Sequence, residues 1–217
     1  MKVLYQDDSI AVALKPSGVL SQGDSREREN MIDLFKKEGI EPLYPVHRLD
    51  RETAGVMVFA KTEKAAAALS RAIAEKQFHK TYFAVTSSAL PEDEGVMEDL
   101  LFHDVRKNKV FPVKRPRGGV RKALLSYKAL FKGDLSLYEV RPETGRTHQI
   151  RVQFASRRCP LLGDRKYGGK PYSLFDPAEE EGLALFAAAL SFPHPETGKL
   201  VSFSLPLPDS FPWRFFQ

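Results

Sequence analysis

Pro45-Val46-His47-Arg48-Leu49-Asp50-Arg51-Glu52-Thr53-Ala54-Gly55-Val56 is the stretch from which the rest of the chain can be read. It sets one carboxylate, Asp50, between Arg48 and Arg51 in a turn-rich segment, directly ahead of the apolar run Val56 to Ala60. A short apolar run bounded by turn residues reads as a buried strand. A carboxylate flanked by guanidinium groups keeps its charge and orientation, which suits a nucleophile or a base acting on an electron-poor carbon. A structural Arg–Asp pair closing a loop uses the same residue types. Within this segment alone both readings stand.

Upstream, Val3 to Tyr5 and Ile10 to Leu14 flank the turn residues 6–9 and predict a hairpin, closed by Lys15-Pro16-Ser17-Gly18. Ser25 to Asn30 is a charged loop, and Met31 to Lys37 a short helix stopped by Gly39. Downstream, Thr62 is placed to cap a helix from Glu63 to about Lys76, with Ala65, Leu69, Ala72 and Ile73 giving propensity and an apolar face. Thr81 to Thr86 is β-rich. Ala123 to Leu130 and Ser136 to Arg141 predict paired strands across the Lys132-Gly133-Asp134 turn. A helix starting near Thr147 would carry Ile150 and Phe154 on one face, and Leu200 to Leu205 alternates as a half-buried strand. Strands outnumber helices and hairpins dominate, so the expected class is α+β with a largely antiparallel sheet.

The 217 residues hold 42% hydrophobic and 28% charged side chains, ordinary for a globular chain. The acidic start, the lack of an apolar leader and the absence of any membrane-length apolar run predict a soluble, cytoplasmic protein. One cysteine, Cys159, rules out an intramolecular disulfide and a cysteine cluster for zinc. The five scattered histidines lack metal-binding spacing, so no metal is expected. The net charge of +5 is concentrated. Between His103 and Lys122 eight basic residues, among them Lys107, Lys109, Lys114, Arg115 and Arg117, face one acid, Asp104, and the remainder of the chain sums to −2. That concentration fits a phosphate-contacting surface, and Pro112, Pro116, Gly118 and Gly119 mark the segment as an extended loop.

Four ordered segments share one resemblance. His47 to Val56 resembles the active-site motif of the RNA pseudouridine synthases of the RluA type. Lys80-Thr81-Tyr82-Phe83-Ala84 looks like that family's K-x-Y-x-A. Gly145-Arg146-Thr147-His148-Gln149-Ile150-Arg151-Val152 matches its G-R-T-H-Q-I-R-V. Pro160-Leu161-Leu162-Gly163-Asp164-Arg165-Lys166-Tyr167-Gly168-Gly169 matches P-x-x-G-D-x-x-Y-G-G. The resemblance spans roughly positions 3 to 205. It implies a mixed, mostly antiparallel central sheet with flanking helices and a central active-site cleft. It also implies one catalytic domain over residues 1–217, in the short form without an S4 domain.

For the site, the resemblance makes Asp50 the catalytic carboxylate and Tyr82 the ring that stacks on a flipped-out uracil. It makes Arg151 the salt-bridge partner of Asp50 and Ile150 the apolar contact under the base. Arg48 would fill the gap the base leaves. Arg146 and the basic segment would contact phosphate, while Pro160 to Gly169 would be scaffold, with Asp164 bonding backbone amides. The reaction implied is isomerisation of uridine in transfer or ribosomal RNA without cofactor or metal, on an RNA partner and with no obligate protein partner evident. Phe186 departs from the family's leucine–histidine–alanine run. Two other classes fit parts of the chain: an RNA-binding protein on a decayed scaffold, and a glycosidic-bond hydrolase, which normally wants a second carboxylate that no motif here supplies.

Overall fold

The apolar run behind the Asp50 motif becomes the most deeply buried strand, with Val56 to Ala60 fully shielded from solvent. The computed structural model describes residues 1–25, 28–176 and 182–217; part of the charged loop expected over 25–30 lies outside them. In chain order the elements are β1 (Lys2–Gln6), β2 (Ile10–Lys15), α1 (Met31–Lys37), β3 (Tyr44–Pro45), β4 (Ala54–Ala60), α2 (Glu63–Ala74), β5 (His79–Thr86), β6 (Glu94–Asp104), β7 (Lys109–Val113), β8 (Val120–Phe131), β9 (Ser136–Pro142), α3 (Gln149–Ser156), β10 (Leu185–Pro193) and β11 (Leu200–Ser204). The class is α+β, as expected. Among the described residues no helix is long and apolar enough to cross a membrane.

The chain forms two compact units, one of Met1–Lys80 with Phe186–Pro206, the other of Thr81–Leu185 with Leu207–Gln217. Within each unit the strands pair antiparallel, except that β10 runs parallel to β4. In the first unit, β2 lies between β1 and β4, and β11 pairs with β10. Ile10, Val12, Val56, Val58, Leu69, Leu190 and Phe192 form its core. The helix after β4 starts where the sequence places it, because Thr62 Oγ1 accepts the Ala65 amide at 3.1 Å. Gly55 is required at the β4–β10 contact: its φ is +134°, and a Cβ there would stand 2.3 Å from the Ala187 carbonyl oxygen.

In the second unit the strand order is β5-β9-β8-β6-β7. The basic stretch departs from its expected form. It is not an extended loop but three antiparallel strands, in which Phe102 pairs with both Phe111 and Val120, leaving only tight turns at 105–108 and 114–119. Buried Leu101, Val110 and Ala123 supply the apolar face that holds these strands on Val152 of α3. Pro112 is tolerated because β7 is the last strand in the order. α3 carries Ile150 and Phe154 as expected, and its burial goes further than one face: Gln149 to Phe154 are all buried.

The turn before β2 carries a carboxylate that the fold keeps ionised. Partial burial works against the charge of Asp7, but the Ile10 and Ser9 amides and the Tyr5 hydroxyl, each at 2.8 Å, outweigh it, as does His194 Nε2, also at 2.8 Å. Asp7 is held down to about 2, against 3.8 unperturbed. The stability this contributes is complete above the unfolded value and lost as pH falls through the folded one. Asp7→Asn is therefore expected to cost about 1–2 kcal/mol near neutrality. In thermal melts run against pH, the gap from wild type should close between about pH 4 and pH 2; a constant gap would contradict the assignment.

Candidate active site

The loop carrying Asp50 is fastened to the first unit by its backbone. Lys15 ends β2 fully buried, and its ammonium donates to the Pro16, Val19 and Arg51 carbonyls at 2.9, 2.7 and 3.0 Å. Burial lowers the Lys15 pKa to about 8, with the negative charges of Asp50 and Glu52 opposing the shift. Ser21 Oγ donates to the Leu49 carbonyl and accepts the Leu49 amide, both at 2.9 Å. The Ser17 hydroxyl donates to the Glu52 carbonyl and the Gly18 amide to the Arg51 carbonyl. Asp50 thus has its neighbours at 49, 51 and 52 all pinned, while its own side chain stays half-buried.

His47 closes the upstream end. Its Nε2 accepts the Val58 amide of β4 at 3.1 Å, so the ring proton sits on Nδ1. Burial, with Lys80 nearby, holds the His47 pKa well below the usual histidine range and keeps the ring neutral. The ring also packs on Phe78, centroids 5.3 Å apart. Arg48, between this anchor and Asp50, is exposed. Phe186, the departure from the family's histidine, is buried at the start of β10, opposite Ala54.

In the second unit, Tyr82 lies on β5 opposite Val140 of β9 and is 8% exposed. Ile150 and Arg151 follow each other on α3, both buried. The Arg151 guanidinium is gripped on one edge by Asp164: Nε donates to Oδ2 and Nη2 to Oδ1, each at 2.8 Å, with almost no solvent exposure on either side. Asp164 Oδ1 also accepts the Tyr167 amide at 3.2 Å. Its expected bond to backbone is present, and the ion pair with Arg151 is an addition the motif did not announce. The Tyr167 ring lies 5.4 Å from the Arg151 guanidinium. The Tyr167 hydroxyl accepts the Val110 amide of β7 and meets His148 Nδ1, both at 2.9 Å. The second unit therefore brings Arg151 and the basic strands into one hydrogen-bonded assembly, and Asp50 belongs to the first.

The basic side chains divide by environment. Lys109 sits over the Phe111 and Tyr167 rings, Arg117 lies 4.7 Å over Phe102, and Arg146 Nε donates to the Lys122 carbonyl at 2.9 Å. Lys107, Lys114 and Arg115 project from the exposed turns. Lys15, Asp164 and Tyr167 are the positions sequence reading undervalued. The available signals were a lysine closing an apolar run and an Asp–Tyr spacing of three between glycines, which builds the turn that aims both groups.

Asp164→Asn leaves a buried guanidinium without the carboxylate that now grips it. The expected loss is about 3–5 kcal/mol in denaturant titration; a loss below about 1 kcal/mol, the value of an exposed pair, would contradict the buried geometry.

Residues 9–156 match the family model described as RNA pseudouridylate synthase. An uncharacterized RNA pseudouridine synthase of Aquifex aeolicus is 35% identical over 97% of this chain and 71% of its own length. The tRNA pseudouridine synthase C of Vibrio parahaemolyticus is 30% identical over 99% of this chain and 94% of its own. The ribosomal large subunit pseudouridine synthase C of Buchnera aphidicola is 33% identical over 94% and 67%. Among solved structures, human RNA pseudouridylate synthase domain containing 4 superposes with a TM-score of 0.77 at 28% identity, covering 99% of this chain and 90% of that one.

Proposed function

The chain belongs to the RNA pseudouridylate synthase family, and from that premise we propose that it converts particular uridines of transfer RNA, ribosomal RNA or both, with Asp50 as the catalytic carboxylate. The enzyme class is pseudouridine synthase, an RNA uridine isomerase. What carries the choice of Asp50 is its setting: a half-exposed carboxylate in a loop whose backbone is pinned at Leu49 and Arg51 by buried or backbone donors and at Glu52 by the Ser17 hydroxyl. A reacting carboxylate gains from such support, because an orientation fixed before substrate arrives costs nothing during the reaction.

The target uridine leaves its stack at a cost of about a few kcal/mol. In this reading Tyr82 offers the ring that replaces the lost neighbours, Ile150 an apolar contact, and Arg48 the side chain that fills the vacated position. Asp50 promotes cleavage of the bond between the base nitrogen and the sugar. The uracil turns, rejoins the same sugar carbon through carbon five, and loses the proton from that carbon to solvent. Atoms and electrons balance within one nucleotide, so the scheme requires no oxidant, metal or cofactor. Arg151 is the cation assigned to keep Asp50 ionised, and its own orientation is set by Asp164. Residues 1–217 act as one catalytic domain in the cytoplasm, and Lys107, Lys109, Lys114, Arg115, Arg117 and Arg146 meet RNA phosphates.

Tritium release from RNA carrying uridine labelled at carbon five tests the assignment. Wild type is expected to release tritium, and Asp50→Asn to lose about a thousand-fold or more of the rate while binding the same RNA within about two-fold. Release by Asp50→Asn at a rate near wild type would overturn the assignment.

A further inference from the structure

A pocket of about 220 Å³ opens in the second unit between the basic strands and the turn that leads into α3. Its floor is apolar, from Leu101 and Val110, both buried. Its walls carry His103, Arg121, Arg146 and Thr147, with Gly119 and Gly145 opening the backbone, and no carboxylate is among the described residues that line it. We propose that this pocket seats one phosphodiester of the RNA backbone, with the adjoining ribose carbons on the Leu101–Val110 floor. The proposal rests on RNA being the substrate.

Four features converge on an anion. His103 Nε2 is a buried nitrogen with no hydrogen-bond partner among the described residues. Such a nitrogen is costly to leave unsatisfied, and a small turn of the ring on binding brings its N–H from just beneath the pocket lining to a phosphate oxygen. Arg121 forms no ion pair among the described residues, so its guanidinium has no internal carboxylate competing with a ligand. Arg146 is pre-aimed, its Nε tied to the Lys122 carbonyl and its backbone amide to Gln149 Oε1 at 3.1 Å. Lastly, Thr147 stands just before α3, and His148 at the helix N-cap supplies no side-chain acceptor to that helix start. The pocket therefore lies by the positive end of the α3 dipole, which favours an anion. The turn is stiffened from behind, where Thr144 donates to Gln149 Oε1 at 2.7 Å and Gln149 donates to the Leu124 carbonyl at 3.0 Å.

The test is fluorescence anisotropy of an unmodified, end-labelled transfer-RNA transcript over a range of KCl. His103→Phe keeps the ring's bulk and removes the donor. Arg121→Gln removes one exposed charge and should fold normally. Lys199→Gln, on an exposed edge of the first unit, removes the same charge elsewhere. His103→Phe and Arg121→Gln are each expected to weaken binding about 3- to 10-fold. Arg121→Gln should also reduce the slope of log affinity against log salt by about 0.7, the share of one neutralised phosphate, whereas His103→Phe should leave the slope unchanged. Lys199→Gln should alter neither quantity. Wild-type binding by both His103→Phe and Arg121→Gln overturns the site, as does a slope change in Lys199→Gln equal to that of Arg121→Gln. Tritium release by wild type reports on the isomerase reading separately, so a failed pocket and a failed enzyme assignment are distinguishable.

Discussion

Arg151 and Asp164 are thirteen residues apart in sequence and almost wholly withdrawn from water, and each offers the other an opposite charge where solvent cannot. Their two parallel hydrogen bonds use the planar edge of the guanidinium, a geometry lysine cannot reproduce. Much else in the second unit follows from that contact. It fixes the start of α3 against the turn at 160–169, a turn so close-packed that a Cβ on Gly169 would stand 1.9 Å from the Leu161 carbonyl oxygen. The same turn delivers Tyr167, whose ring backs the guanidinium and whose hydroxyl takes the Val110 amide. An arginine assigned to chemistry and the strands assigned to RNA are thereby parts of one rigid arrangement.

The first unit solves a similar problem with different means. Its Asp50 loop is secured by one buried ammonium on three carbonyls and by a histidine kept neutral. An ammonium suits position 15 because its three N–H groups can reach three separate carbonyl dipoles at once. A neutral ring suits His47 because its role is to accept one amide from β4. Both anchors act on the backbone or on neighbouring residues and leave Asp50 itself partly exposed, as the role proposed for it requires.

How far the sequence could be read depended on where the determining interaction lay. The β1–β2 hairpin, β4, α2 with its Thr62 cap and the β8–β9 pair were legible because pattern and punctuation act within a few residues. Strand β6 was not, since Glu94 to Asp104 mixes acids with adjacent leucines and becomes a strand through its long pairing with β8. β10 was hidden for another reason. Its Ala187-Ala188-Ala189 core has little intrinsic strand preference, and small side chains there answer the close approach of Gly55. At the site, motif residues identified the family, but the grip of Asp164 on Arg151 and the buried position of Lys15 arise from tertiary packing. The orphan nitrogen of His103 is of the same kind, visible only once β6 is paired on both sides by β7 and β8.

The most direct measurement is the nucleoside composition of unmodified transfer and ribosomal RNA after incubation with the purified protein, digestion to nucleosides and chromatographic separation. An isomerase converts uridine to pseudouridine one for one, with no change in mass and no free uracil. Appearance of free uracil, or an unchanged uridine peak in both RNAs, would contradict it.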